Sequence, residues 1–362
     1  MQHQGPCFKL YGMERSYFTG KVRPALRAKR LYFEELIPDR VVYADISRRT
    51  GLMFIPVVVT PEDETWQDTS DILDALEARF PEPALVPPTP VQRVVSSLLE
   101  LHGDEFMLMP AMHYRWTKPE WSSDARLAFA AGSANKQAAN RFADRMAGSL
   151  PMLGVTDDTI PAIEAHLAEL LLLMESLLTD QGFLLGNQMS IGDCGMMGPF
   201  YAHLYLDLGP GQIVREHAHV SHWIEHMNHP DPTGFAGFLP DDALHPSMRG
   251  ILELIGSDAV PQFLDRLAAF ETWADENAVA GEEPPRAVGM HTTRLRGIEH
   301  PRMTNPYSLF MAQRVFDTYA ALGGDERKAV DQALAGTGCE ALLAYAPRHR
   351  VEKRDFKLVF KA

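Results

Sequence analysis

The sequence predicts a small mixed α/β domain, then an all-helical domain, then a mixed helix-and-strand extension. Three observations predict this order. Over residues 7–82 short apolar runs alternate with helix-spaced ones. The proline clusters Pro81-Glu82-Pro83 and Pro87-Pro88-Thr89-Pro90 then read as a linker. Beyond them the periodicity is almost wholly helical through residues 91–235, and residues 240–362 mix helices with a closing alternating stretch.

In order, Phe8–Tyr11 reads as a strand, and Phe18–Lys29 as a helix with Phe18, Val22, Ala25 and Leu26 on one face. Val41–Tyr43 reads as a second strand. Val57–Thr60 and Thr65-Trp66 form a hairpin, and Ser70–Phe80 a helix. The middle carries helices over Val91–Met109, Ser122–Met146, Thr159–Leu178, Ile191–Leu206 and Val220–Met227. Ser190 with Asp193 three residues on has the pattern of a capping box. The last third carries helices over Leu244–Ile255, Val260–Glu276, Asn305–Leu322 and Asp325–Leu334, and a strand over Val351–Phe360.

With 362 residues and a net charge of −14, the chain lacks the basic face that nonspecific nucleic-acid binding or an anionic membrane demands. No apolar run is long enough to span a bilayer, and the N-terminus has no signal-peptide pattern. Three scattered cysteines, Cys7, Cys194 and Cys339, fit a reducing cytoplasm and offer no disulfide framework.

Pro56 interrupts what is otherwise the strongest strand, Leu52 to Val59. Proline has no N–H for a ladder, so Pro56 belongs at the start of the strand, after a cis peptide bond. Such a turn leaves the N–H and C=O of Ile55 free for an extended, peptide-like ligand. Ser16 and Tyr17 stand at the first strand-to-helix junction, where unpaired N–H groups and the helix dipole stabilise a thiolate. Either hydroxyl can donate to a bound sulfur. Plain capping by Ser16, and packing of Tyr17 on the helical domain, are the competing roles. There is no Cys-x-x-Cys at this junction. A second helix start, Asp68-Thr69, suits a ligand carboxylate, with Asp68 an acceptor for an ammonium; capping competes here too.

Taken together these segments resemble the glutathione S-transferase superfamily, as a bacterial-type member with a C-terminal extension. Ser16-Tyr17-Phe18-Thr19-Gly20-Lys21-Val22-Arg23 is similar to the family's Ser-Pro-Phe-Ser-x-Lys-Val-Arg helix start. Thr50-Gly51 with Ile55-Pro56 is similar to its loop and cis-proline turn, and Asp68-Thr69-Ser70-Asp71-Ile72 to its Glu-Ser-x-x-Ile motif. Ser190-Ile191-Gly192-Asp193 resembles the Ser-Ile-Ala-Asp cap of its second domain. The resemblance implies a thioredoxin-like glutathione-binding domain over 7–82, an all-helical substrate domain over 91–235 and an added extension over 240–362. It implies a cytoplasmic, homodimeric detoxification enzyme, with glutathione as cosubstrate, no metal, and a small hydrophobic electrophile as the second substrate; the alternative is a binding or structural protein that keeps the fold without turnover.

By position, Ser16 or Tyr17 meets the glutathione sulfur, Ile55 and Pro56 the cysteinyl unit, and Asp68 and Thr69 the γ-glutamyl end. Arg48 or Arg49 is the candidate for the glycyl carboxylate. Tyr17 replaces the family's proline, Asp68 is one methylene shorter than its glutamate, and Pro24 falls inside the first helix. The electrophile pocket is expected between the domains, along Glu105–Trp116. Met109 forms its apolar wall, with His113, Tyr114 and Arg115 as polar contacts; ordinary core packing is the rival role for these side chains. Five histidines crowd residues 217–229, but their spacing lacks the His-Glu-x-x-His zinc pattern. Lysines and arginines along 348–361 read as edge protection for the last strand. Pro284-Pro285-Arg286 and Arg302 to Tyr307 stand out as structural landmarks with no chemistry attached.

Overall fold

A computed structural model describes residues 7–131 and 135–361. The first domain is a four-stranded sheet in the order β2-β1-β3-β4, with β1 at Phe8–Tyr11, β2 at Phe33–Leu36, β3 at Val57–Val59 and β4 at Thr65–Gln67. β1 and β2 are parallel, so a crossover must join them, and helix α1 (Tyr17–Ala28) supplies it. β3 runs antiparallel to both β1 and β4, pairing Val58 with Leu10 and with Trp66. Helices α2 (Arg40–Thr50) and α3 (Thr69–Arg79) complete this thioredoxin-like unit.

Val41–Tyr43, expected as a strand, lies in α2. Asp39 decides this: its carboxylate accepts from the N–H groups of Val41 and Val42, at 2.9 and 2.8 Å, and caps the helix. Val41 is exposed, so its β-branched side chain has no sheet to fit. The parallel partner of β1 is Phe33–Leu36, whose two glutamates hide its character.

The second domain is helical. Helix α4 (Pro90–Leu101) packs on α9 (Ile191–Pro199), with α5 (Leu108–Trp116), α6 (Pro119–Ala131), α7 (Lys136–Ala147) and α8 (Ile160–Asp180) between them in sequence. Small residues let α4 and α9 approach closely. A Cβ on Gly195 would stand 2.7 Å from the Glu100 Cα, one on Gly103, just past the end of α4, would stand 2.5 Å from the Gly195 carbonyl, and the Gly192 N–H donates to Ser96 at 3.0 Å. The expected 91–109 helix is interrupted by a π-turn over His102–Phe106. The expected helix over 122–146 is two helices, its middle falling at residues 132–134 outside the described segment. The capping box is present: Ser190 accepts from the Asp193 N–H at 3.2 Å while Asp193 accepts from the Ser190 N–H at 2.9 Å. The same carboxylate takes the indole N–H of buried Trp223 at 3.0 Å.

The extension adds helices at Pro246–Leu254, Val260–Asn277, Pro306–Ala320 and Gly324–Leu334. Its strands form two hairpins: Gly289–Leu295 with Ile298–Thr304, and Val351–Arg354 with Lys357–Phe360. The single closing strand expected over 351–360 is the second hairpin, turning at Asp355-Phe356, both with positive φ. One apolar core runs without a break from Phe8 and Leu26 through Leu98, Met174 and Phe200 to Val315 and Phe360, so the extension shares the core of the other two domains.

Candidate functional site

A cavity of about 340 Å³ opens above the Ile55-Pro56 turn, at the small end of the range for ligand sites. Its floor comes from the first domain: Leu52, Phe54, Ile55, Pro56, Gln67, Asp68 and Thr69, with Phe18 from α1. The Ile55–Pro56 bond is cis. Among the described residues, the Ile55 N–H and C=O make no hydrogen bond. At the start of α3, Asp68 has φ of 79°, a costly value for a residue with a side chain and one that clusters at ligand sites. Two buried polar atoms here have no partner among the described residues: the Thr69 hydroxyl and the Gln67 carbonyl oxygen. Buried polar groups are nearly always bonded, so two orphans in one cavity wall are unusual.

The other wall comes from the extension. Pro284, Arg286, Pro306, Tyr307, Lys353 and Leu358 line it. The Tyr307 hydroxyl donates to Asp68 Oδ1 at 3.1 Å, and Lys353 Nζ donates to Oδ2 at 3.0 Å. Burial and then the Asp68 charge push the Tyr307 phenol well above its ordinary range, so it stays a donor. Arg286 lays its guanidinium 4.1 Å over the Phe54 ring. Lys357, also on this wall, pairs with Glu283 at 3.1 Å. Of the three extension cations at the cavity, Arg286 is the one without a carboxylate partner among the described residues.

Ser16 caps α1, accepting from the Thr19 N–H at 3.3 Å. It is half-buried, its own O–H has no acceptor among the described residues, and it stands two residues before Phe18 without itself lining the cavity. Tyr17 points the other way. It is buried, donates to the Gly103 carbonyl, and sets its ring 5.4 Å from that of His203. A tyrosine in the proline's position is thus a domain-interface residue, and the sulfur role expected of it does not fit this orientation.

Arg48 and Arg49 are occupied elsewhere. Both pair with Asp45, and Arg49 reaches Thr65 at 3.2 Å and Asp63. Neither lines the cavity. The expected electrophile wall along Glu105–Trp116 is instead packed away: the extension covers its Glu105 and Met109 end, and other helices of the second domain cover His113, Tyr114 and Arg115. Met109 is fully buried with its sulfur 3.1 Å from Arg302, which also donates to the Glu105 carbonyl at 2.8 Å. His113 is held between Thr117 at 3.0 Å and Glu164 at 3.1 Å, and burial lowers its pKa against the pull of Glu164. Tyr114 packs on Trp121, with centroids 5.3 Å apart, and Arg115 pairs with Asp207 at 2.6 Å. Of the histidines at 217–229, His219 pairs with Glu175 at 2.8 Å and His222 and His226 set their rings 6.0 Å apart; among the described residues no group of three or more His, Cys, Asp or Glu could hold a metal.

Beneath the site lies a second cluster. Lys21 is fully buried and donates to Ser70 at 2.9 Å, Glu100 at 2.8 Å and Asp104 at 2.6 Å. Burial raises the Asp104 carboxyl, and its second oxygen has no partner, as suits a group drawn toward its neutral form. Burial also pushes Glu100 up, but Lys21 and Arg314 outweigh it and hold that carboxyl low. Arg314, from the extension, pairs with Asp74 through two bonds of 2.7 and 2.8 Å and faces Glu100 at 3.5 Å.

A thioredoxin-like sheet with a cis-proline turn thus stands beside a helical domain that carries a capping box. Residues 10–84 match the N-terminal domain of glutathione S-transferases, and residues 158–231 the C-terminal domain. The chain thus carries both domains of the glutathione S-transferase family, followed by a further C-terminal region. No curated protein matches it. Among solved structures it is similar to a glutathione S-transferase from Rhodospirillum rubrum, at 16% identity and TM-score 0.42, covering 67% of this chain and 97% of that one. It is similar to a Tau class enzyme from mango, at 17% identity and TM-score 0.39, covering 62% and 89%. A third, from Methylobacterium radiotolerans in complex with glutathione sulfonate, has 19% identity and TM-score 0.36, covering 66% and 100%.

Proposed function

We propose that the chain binds glutathione in the cavity above Ile55-Pro56 and activates its thiol for attack on an apolar electrophile. The observation that carries this reading is the unpartnered Thr69 hydroxyl, buried at a helix start beside a free peptide main chain at Ile55. In this reading Thr69 takes the γ-glutamyl carboxylate, Ile55 pairs with the cysteinyl unit, and Arg286 takes the glycyl carboxylate. The Ser16 O–H is free to donate to the sulfur, and the start of α1 favours the thiolate. The thiol gives up its proton to solvent, and its sulfur forms a bond to the electrophilic carbon as that carbon's bond to a leaving group breaks or, in an addition, as a π bond breaks and its far atom takes up a proton. Phe18, Phe356 and Leu358 offer the electrophile an apolar wall. A cytoplasmic homodimer acting in detoxification is the fuller form of the reading, and light scattering checks the dimer.

Titration calorimetry with glutathione, followed by thiolate difference absorbance near neutral pH, tests it. Saturable binding with a thiolate signal that Ser16→Ala removes is expected; no saturable binding sinks it. One observation favours a second reading, a glutathione-fold binding protein without turnover: Ser16 already serves as the cap of α1. Under that reading binding survives, and neither the wild type nor Ser16→Ala gives a thiolate signal.

A further inference from the structure

We propose that Lys353 stands where a γ-glutamyl ammonium would otherwise bind, so that the cavity accepts its peptide through carboxylates and tolerates a blocked α-amine. This rests on the glutathione reading above and names the ligand class that reading leaves open: γ-glutamyl thiol peptides acylated on the α-nitrogen. Asp68 is the one carboxylate at the start of α3 that lines the cavity. Its Oδ1 already accepts from the Ser70 N–H and the Tyr307 O–H, both at 3.1 Å, and its Oδ2 from Lys353 at 3.0 Å. Three of roughly four lone-pair sites are therefore used, and the single negative charge is already matched by an ammonium.

Lys353 is not a loose surface cation. Its side chain is only 17% exposed, and its Nζ lies 5.6 Å from the Tyr307 ring centroid and 5.2 Å from that of Phe310. An incoming ammonium would have to share Asp68 with it or push it off both rings. A carboxylate faces no such conflict. It meets the orphan Thr69 hydroxyl, the start of α3 and the Lys353 charge together. Acylating the ligand's amine removes the like-charge conflict and leaves the carboxylate contacts in place.

The test titrates glutathione and N-acetylglutathione, blocked at the γ-glutamyl amine, into the full chain and into Lys353→Gln and Lys353→Arg. Wild type and Lys353→Arg should bind the two peptides within about threefold of each other, whereas Lys353→Gln should prefer the free amine by about tenfold or more, the worth of one charge-assisted hydrogen bond. A wild-type preference for the free amine of about tenfold, unchanged in Lys353→Gln, overturns the proposal. If Lys353→Gln fails to fold, the two wild-type titrations still decide it. If neither peptide binds a folded wild type, the glutathione reading itself fails, and the inference with it.

Discussion

Two ammonium–carboxylate clusters lie one above the other in this molecule. The Lys21 cluster is closed on every side: Lys21, Glu100 and Asp104 are all nearly or wholly inaccessible. The Lys353 cluster has the same chemistry but borders a cavity, with Lys353 partly open to solvent. Removing one partner of a sealed pair strands a charge in a low dielectric, whereas beside a cavity water takes the lost partner's place. The first cluster therefore fastens α1, α3, α4 and the extension together, and the second is placed to sort ligands.

Lys21→Met should break that contrast most visibly. It leaves Glu100 without its main partner and should cost about 3–5 kcal/mol in urea unfolding. A loss below about 1 kcal/mol would show that the cluster does not hold the domains together. Gly103→Ala comes next, because its new Cβ meets the Gly195 carbonyl rather than a movable side chain. Overpacking of this kind should cost about 1–3 kcal/mol by the same measurement.

At the cavity, effects move from stability to binding. Arg286→Gln should weaken glutathione roughly fivefold, about 1 kcal/mol, and leave γ-glutamylcysteine, which lacks the glycyl carboxylate, unchanged. Equal losses for both peptides would remove Arg286 from that role.

Asp71 gives a pH signature. Burial, and then the neighbouring Asp68 charge, push its carboxyl up to about 6. A carboxyl raised in the fold contributes stability below its unfolded value, and that contribution is lost as pH rises through about 6. Asp71→Asn should thus gain about 1 kcal/mol over wild type at pH 8 and nothing at about pH 4, read as the difference in thermal unfolding. A constant difference across that range would contradict the assignment. The smallest effect is the stability change of Lys353→Gln, expected within about 1 kcal/mol despite its effect on ligand choice.

The first domain was legible because its signals are local. A proline opening a Val run, a serine before a helix and an Asp-Thr pair before another each fix backbone within a few residues. Strand β2 is hidden in the sequence because Glu34 and Glu35 break its apolar pattern, whereas the β-branched pair Val41-Val42 has the composition of a strand. The far wall of the cavity was illegible for a different reason: it is assembled by contacts of long sequence separation, such as Asp68 with Tyr307 and Lys353. Its residues were visible as oddities. Pro284-Pro285-Arg286, the Arg302–Tyr307 stretch and the basic tail all stood out, but no local pattern ties them to Asp68. The Met109-His113-Tyr114 wall failed because helical spacing of apolar and polar groups cannot say which face a later segment will cover.

The central claim is that the cavity above Ile55-Pro56 is a glutathione site with Thr69 at its carboxylate end. Titration of glutathione into wild type and Thr69→Val tests it most directly. The account predicts saturable binding to the wild type, weakened about tenfold in Thr69→Val, the worth of one hydrogen bond to a charged group. Saturable binding of equal strength in both, or none in the wild type, would contradict it.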